Sequence, residues 1–246
     1  MSSQIKAGWV DMNNSTRQNL GASVDLLFEP ERVMNTMPAR ADEPTRRTKD
    51  MCIICVSPAG TRQPTKTQIK TMFMNNPHGA GYMYAKHGKV IIHKGFMYID
   101  EYLDAIASEH FTAKDTVVYH FRISTQAGVN PEMTHPFPLS NQRRLMQKLD
   151  LECECGVAHN GIIRLTSDPQ EREYSDTAIF ITDYLARIIQ SPADLRNQDK
   201  LNFIYRLARS KFAILDRTGG LATVGEFINE RGLLFSNRSY TPQGRL

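Results

Sequence analysis

The sequence predicts an α+β fold in which antiparallel sheets carry helices on their outer sides. Short β-branched and aromatic runs alternate with amphipathic segments at helical spacing, so strands and helices interleave along the chain. Two apolar runs fold back on themselves about Gly-containing turns, at 87–88 and at 219–220. Hairpins of this kind join antiparallel neighbours and therefore favour antiparallel sheets. A layered α+β domain follows.

The composition of the sequence changes at Cys52. Residues 1–50 are polar and irregular, and they end in the charged run Arg46-Arg47-Thr48-Lys49-Asp50. From Cys52 onward, apolar strands and helices follow one another. We expect an N-terminal extension over residues 1–51, either a propeptide or an irregular tail, and one domain over residues 52–246.

The elements of this domain are predicted in order from apolar spacing and turn residues. The first helix illustrates the pattern, since Ile69, Met72 and Phe73 recur at three- and four-residue intervals. The predicted strands cover 52–57, a hairpin at 81–95, 116–123, 156–164, a second hairpin at 211–225 and a final run within 232–240. The predicted helices cover 66–74, 99–109, 177–190 and 200–209.

Composition excludes several functional classes. No apolar run approaches the roughly 18 residues of a membrane helix, and the start MSSQIKAGWVDMNN lacks the pattern of a secretory signal, so a cytoplasmic location is expected. The net charge is +4, but residues 1–50 hold seven basic and seven acidic residues, so no dedicated nucleic-acid arm is expected. Neither a phosphate-binding loop nor a dinucleotide fingerprint is present, so no nucleotide cofactor is expected.

The four cysteines fall in two close pairs, Cys52-x-x-Cys55 and Cys153-x-Cys155. Two such pairs are also the ligand set of a tetrahedral zinc site, so a zinc-bearing interaction protein is one alternative. However, the first pair lies in a run typical of a strand, whereas zinc knuckles favour Gly-rich turns. We expect no metal; the plainer interpretation is two buried thiols and one exposed pair.

Four short segments carry residue types suited to cleaving a carboxamide. They are Met51-Cys52, His120-Phe121-Arg122-Ile123-Ser124-Thr125, His159-Asn160-Gly161 and Ser175-Asp176-Thr177. In this order and spacing they resemble the glutamine-hydrolysing domain of class II glutamine amidotransferases, members of the N-terminal-nucleophile hydrolase superfamily. The resemblance covers residues 52–246 and extends to Asn76-Pro77-His78-Gly79-Ala80-Gly81-Tyr82 and His135-Pro136-Phe137. It implies a four-layer αββα sandwich of antiparallel sheets and no cofactor.

The resemblance makes Cys52 the nucleophile and its own α-amine the base. A free α-amine has a reference pKa of about 7.7–8.0, which suits proton transfer near neutrality. A nitrogen in a peptide bond to Met51 has no such basicity, so the 246-residue chain is expected to be inactive. Three alternatives remain: residues 1–51 are removed, translation begins at Met51 and the initiator is trimmed, or the extension persists on an inactive or regulated relative.

The same resemblance places an oxyanion hole at Asn160 and Gly161. The Asn160 side-chain amide and the Gly161 backbone N–H would donate to the oxygen of the tetrahedral intermediate. A glycine inside an apolar strand otherwise weakens pairing, so this break in the strand needs a reason. The plain alternative is a type I′ Asn-Gly hairpin turn.

Substrate binding is assigned by resemblance to Arg122, Asp176 and Thr125. The Arg122 guanidinium suits a bidentate grip on an α-carboxylate, Asp176 would bind the α-ammonium, and Thr125 would line the pocket. The plain alternatives are a solvated or paired arginine, and helix capping by the Ser175-Asp176-Thr177 triplet. One departure from the family pattern is Ala127, which stands where the family often has glycine.

Three histidines accompany these segments: His120, His135 and His159. Each is chemically able to act as a general base or a zinc ligand. The resemblance gives none of them the proton transfer, so we expect them to pack around the site and position its other groups.

The sequence therefore predicts a glutaminase-type amidohydrolase. Its ammonia would pass to a synthase partner protein, or the chain would simply hydrolyse glutamine or another γ-glutamyl amide. The alternative from another class is a catalytically silent amino-acid-binding or regulatory relative that keeps its N-terminal extension.

Overall fold

The computed structural model describes residues 52–123, 130–164 and 174–242. The strands in chain order are β1 (Ile53–Ser57), β2 (Ala80–Lys86), β3 (Lys89–Phe96), β4 (Val117–Phe121), β5 (Phe137–Pro138), β6 (Asp150–Cys153), β7 (Cys155–Asn160), β8 (Lys211–Asp216), β9 (Leu221–Val224), β10 (Ile228–Glu230) and β11 (Leu233–Phe235). The helices are α1 (Lys66–Asn75), α2 (Ile99–Glu109), α3 (Asp176–Phe180, continued by a π turn at Ile181–Leu185 and a helical turn at Ala186–Ile188) and α4 (Gln198–Ala208). The predicted N-terminal extension lies outside the described residues.

These strands form two antiparallel sheets, as the predicted α+β class requires. The larger sheet has seven strands in the order β10-β11-β1-β4-β2-β3-β6, and the smaller has four in the order β5-β7-β8-β9. In the larger sheet Ile53 pairs with Phe121, so the start of β1 lies beside the end of β4. This register brings Cys52 next to the segment that begins at Arg122.

Alternate residues of β1 face two different cores. Ile53 and Cys55 point into an apolar cluster with α1 and α2, whereas Ile54 and Val56 point into a cluster shared with β7 and β8. The larger sheet therefore carries helices on one face and packs the smaller sheet against the other. On the far side of β8, Phe212 stacks on Phe180 of α3, with ring centroids 5.6 Å apart.

Several predicted boundaries are wrong. The strand predicted at 116–123 ends at Phe121, and the strand predicted at 156–164 ends at Asn160. The helix predicted at 177–190 begins at Asp176 and contains a π turn in its middle. Three short strands, β5, β6 and β10, were not predicted, because runs of two to four residues carry little apolar alternation.

Within the described ranges, no helix has both the length and the apolar character needed to cross a membrane.

Candidate active site

Cys52 lies immediately before β1, at the end of the larger sheet, and is partly exposed. The Ile123 backbone N–H donates to the Cys52 sulfur over 3.4 Å, and the thiol faces the Ile123 carbonyl oxygen at 3.5 Å. On the backbone side, the Asn237 amide donates to the Cys52 carbonyl over 2.9 Å. The segments that follow β4 and β11 thus fix the cysteine from two directions.

Charges from two other elements act on this thiol. Burial raises the pKa of Cys52, and Asp176 adds to the rise, whereas the Ile123 N–H, the Arg122 guanidinium and the Cys52 backbone N–H lower it. Burial also lowers the pKa of Arg122, against the opposing charges of Cys52 and Asp176. The three side chains therefore share one electrostatic environment. Because the net effect on Cys52 is a raised pKa, the thiol is protonated near neutrality and needs a base before it can attack.

Arg122 is held by the turn that precedes β2. Its backbone N–H donates to the Gly79 carbonyl over 2.8 Å, and its carbonyl accepts the His78 N–H over 2.9 Å. Gly79 has φ +112°, and a Cβ there would lie 2.6 Å from Cγ2 of Thr134. Only glycine fits this position, so the 76–82 run noted in the sequence supplies the support for Arg122.

Asn160 is the last residue of β7, and Gly161 follows it directly. Asn160 is 5% exposed, and its Nδ2 lies 2.8 Å from the Ser236 hydroxyl oxygen. Gly161 has φ +151°, and a Cβ at this position would collide with the Ser210 side chain. The tripeptide therefore ends a strand and does not form the alternative hairpin turn. Asn160 forms the last register pair of β7 with Lys211 of β8, and Gly161 follows this pair.

Asp176 begins α3, and the capping role belongs to its neighbour. The Ser175 hydroxyl accepts the Ala178 N–H over 3.1 Å, so the N-cap is filled without the aspartate. The Asp176 carboxylate accepts backbone N–H groups from Thr177 over 2.8 Å and from Ile163 over 3.1 Å. These two bonds fix the carboxylate at the start of the helix, beside the segment that follows Gly161.

The three histidines are buried and contact one another. His120 Nε2 lies 3.0 Å from the His159 carbonyl oxygen and 3.1 Å from His135 Nδ1, and His159 Nδ1 lies 2.8 Å from the Thr177 hydroxyl. Burial lowers the pKa of His120 and of His159 to about 3, and that of His135 falls well below its usual range. All three are therefore neutral near pH 7, and they join β4, β7 and α3.

Two residues that touch the predicted site, Ser236 and Asn237, lie outside the site segments noted in the sequence. Ser236 and Asn237 follow the apolar strand β11 directly, and both bond to the β1 side of the site. The only sequence feature that marks them is a pair of polar residues placed straight after an apolar run. Thr177 belongs to the Ser175-Asp176-Thr177 triplet, for which helix capping was the plain alternative, but its own side chain is buried against His159.

The remaining cysteines are all buried, so the interpretation that includes an exposed pair is wrong. Cys55 points into the core below the larger sheet, and Cys153 and Cys155 lie at the junction of β6 and β7. Among the described residues, no group of three His, Cys, Asp or Glu side chains is arranged to hold a metal ion.

No protein-family model matches the chain, and a search of curated proteins found no match. Of the predicted site residues, the structure brings Cys52, Arg122 and Asp176 into one electrostatic environment and places Asn160 beside β1 through Ser236. Thr125 and Ala127 lie outside the described residues.

Proposed function

We propose that the domain hydrolyses the γ-carboxamide of glutamine, or of a related γ-glutamyl amide, through a thioester on Cys52. The observation that carries this proposal is the shared electrostatic environment of Cys52, Arg122 and Asp176, which come from three separate elements. A guanidinium suits an α-carboxylate and a carboxylate suits an α-ammonium, so the pair selects a free amino acid. The thiol beside them is the nucleophile.

In the proposed reaction the Cys52 thiol gives its proton to its own α-amine, and the sulfur attacks the γ-carbonyl carbon. The amide of Asn160 and the N–H of Gly161 donate to the developing oxyanion, each worth about 3–4 kcal/mol. The C–N bond then breaks, ammonia leaves with the proton from the amine, and water hydrolyses the thioester to give glutamate.

Two features of the site support an amine base. The raised pKa of Cys52 means that the thiol cannot ionise unaided near neutrality, and its own backbone nitrogen is close enough to affect that pKa. The three buried histidines bond to one another and to Thr177, and burial lowers the pKa of each. The α-nitrogen of Cys52 is therefore the better candidate, once it is no longer an amide.

The packing is consistent with the corresponding fold. We propose that α1 and α2, the two sheets and α3 form the four layers of an N-terminal-nucleophile hydrolase within residues 52–246, working in the cytoplasm. The ammonia would pass to a synthase partner protein or be released to solvent.

A second candidate is an amino-acid-binding or regulatory protein without turnover. The Met51–Cys52 peptide bond favours it, because an intact bond leaves Arg122 and Asp176 able to bind a ligand but removes the base. The two candidates therefore differ in the chemical state of one nitrogen.

The test combines mass and activity. The full chain is expressed without an N-terminal tag, and its intact mass shows whether the residues before Cys52 remain. A parallel sample carries a protease site in place of 46–51 and is cleaved before Cys52 after folding. We expect the cleaved sample to release ammonia from glutamine and the uncut chain to release none. A cleaved, folded chain that binds glutamine without releasing ammonia would favour the binding protein.

A further inference from the structure

Ser236 occupies a fixed position between the two sheets. It is fully buried, and it follows β11 in register with β1. Its backbone N–H donates to the Ile54 carbonyl over 3.0 Å, and its hydroxyl oxygen accepts the Ile54 N–H over 2.9 Å. The hydroxyl oxygen is thus held at a defined point two residues from Cys52, and the Asn160 amide contacts it from β7.

Hydrogen-bond accounting decides how that amide faces the hydroxyl. If Nδ2 donates to the hydroxyl, Asn160 Oδ1 is left buried without a partner among the described residues. In that orientation the hydroxyl accepts twice, and its own proton has no acceptor among the hydrogen bonds of the described residues. Rotating the amide by 180° pairs the hydroxyl proton with Oδ1, and it leaves the two Nδ2 protons without an acceptor among the described residues, where a bound ligand can accept them.

We infer that Ser236 is a positioning residue whose hydroxyl donates to Asn160 Oδ1 and thereby turns both Nδ2 protons toward the oxyanion. The inference rests on the proposed function. It explains why a fully buried serine lies between β1, which follows Cys52, and β7, which ends at Asn160. The next residue, Asn237, holds the Cys52 carbonyl, so one dipeptide braces both the oxyanion donor and the nucleophile.

The experiment uses the full chain, cleaved before Cys52 after folding, and compares Ser236→Ala with Ser57→Ala. Ser57 is the matched control, because it is also fully buried and lies at the opposite end of β1, where its hydroxyl bonds to the Thr61 and Arg62 carbonyls. We expect Ser236→Ala to lower kcat about 10–100-fold with KM changed less than about threefold, while Ser57→Ala stays within about twofold of wild type.

A double-mutant cycle with Asn160→Ala separates positioning from general damage. If Ser236 acts through Asn160, adding Ser236→Ala to Asn160→Ala causes no further loss of kcat. Equal kcat for Ser236→Ala and Ser57→Ala, or losses that multiply in the double variant, would overturn the inference while leaving the proposed function intact. An inactive wild-type chain after verified cleavage would instead overturn the proposed function, and this assignment with it.

Discussion

The two ends of the packed sheets treat their polar groups differently. At the turn end, Glu154 bonds to Lys89 and to Arg217, and Asp216 Oδ1 accepts from Thr218 and Gly220, whereas Asp216 Oδ2 is buried without a partner among the described residues. The site end is formed by the residues at the ends of β1, β4, β7 and β11: Cys52, Arg122, Asn160 and Ser236.

Several buried polar atoms at the site end have no hydrogen-bond partner in the part of the chain that the structure describes. His120 Nδ1 and His159 Nε2 are buried without hydrogen-bond partners among the described residues, and so is one polar atom of the Asn160 amide in either of its orientations. Unsatisfied groups of this kind cost stability and are expected where a ligand or a reaction uses them. In the described part of the chain, the site end thus holds more unpartnered buried polar atoms than the turn end, where Asp216 Oδ2 is the example, and this excess favours function at the site end independently of resemblance.

The largest expected effect comes from replacing Cys52, the proposed nucleophile. Cys52→Ser keeps nearly the same size but loses thiolate chemistry, so we expect ammonia release from the cleaved chain to fall by at least about 10³-fold. Cys55→Ser is the matched control, because Cys55 lies three residues away, fully buried in the core. It should lower the free energy of unfolding by about 1–3 kcal/mol and leave turnover per folded molecule unchanged. Full activity in Cys52→Ser would refute the proposed mechanism.

Arg122→Ala should have the next largest effect. Removing one partner of a partly buried charge pair typically costs 2–5 kcal/mol, so kcat/KM for glutamine should fall about 10²-fold or more. Arg217→Ala provides the comparison at the turn end, where Arg217 pairs with Glu154 at 2.8 Å and is about half exposed. We expect Arg217→Ala to stay within about twofold of wild type in steady-state kinetics. Similar losses in both variants would mean that Arg122 has no special role in binding.

The histidines of the site end make stability depend on pH. Their pKa is about 3 for His120 and His159 in the folded chain, against an ordinary value of 6.5. Between these values the unfolded chain binds protons that the folded chain does not, so the free energy of unfolding rises with pH. Stability is fully present above about pH 6.5 and is lost as the pH falls toward 3.

Urea unfolding at pH 7.5 and pH 5.5 measures this loss. His120 and His159, together with His135, whose pKa is also lowered, should reduce the free energy of unfolding by about 4 kcal/mol over that interval. His120→Gln should reduce the dependence by about a third, since one of three buried histidines is removed. A pH dependence that is the same in wild type and in His120→Gln would show that the buried His120 ring does not contribute to it.

The fold class was predictable because it follows from local patterns of apolar spacing and turn residues. The hairpin about His87 and Gly88 and the helix at 99–109 were predicted from spacing alone and are present. The break at 159–161 was visible in the sequence, but its packing was not, because Gly161 closely approaches Ser210, which lies more than 40 residues later, just before β8. Contacts of this kind leave no local periodicity in the chain.

The candidate site divides in the same way. Cys52 and Arg122 stood out by residue type, and the β1–β4 register explains why they lie close together. Ser236 could not be singled out, since its importance comes from facing Ile54 and Asn160 in the folded chain. A buried serine after a short strand looks like any other serine in the sequence.

The smallest expected effect concerns the link from His159 to Asp176, the carboxylate proposed to bind the α-ammonium. The Thr177 hydroxyl lies 2.8 Å from His159 Nδ1 and 3.4 Å from Asp176 Oδ1, so it connects the two. Thr177→Val keeps the shape but removes this link, which at about 1 kcal/mol should raise KM for glutamine about fivefold with little change in kcat.

Two comparisons make the Thr177 result specific. Thr177→Ser retains the hydroxyl and should restore KM to within about twofold of wild type. Thr182→Val alters another buried threonine of the same helical segment, whose hydroxyl bonds to the Ile179 carbonyl and Asp183, and should leave KM unchanged. If both valine variants raise KM equally, the effect is one of helix packing. If only Thr177→Val raises KM, the Thr177 hydroxyl orients Asp176 toward the substrate.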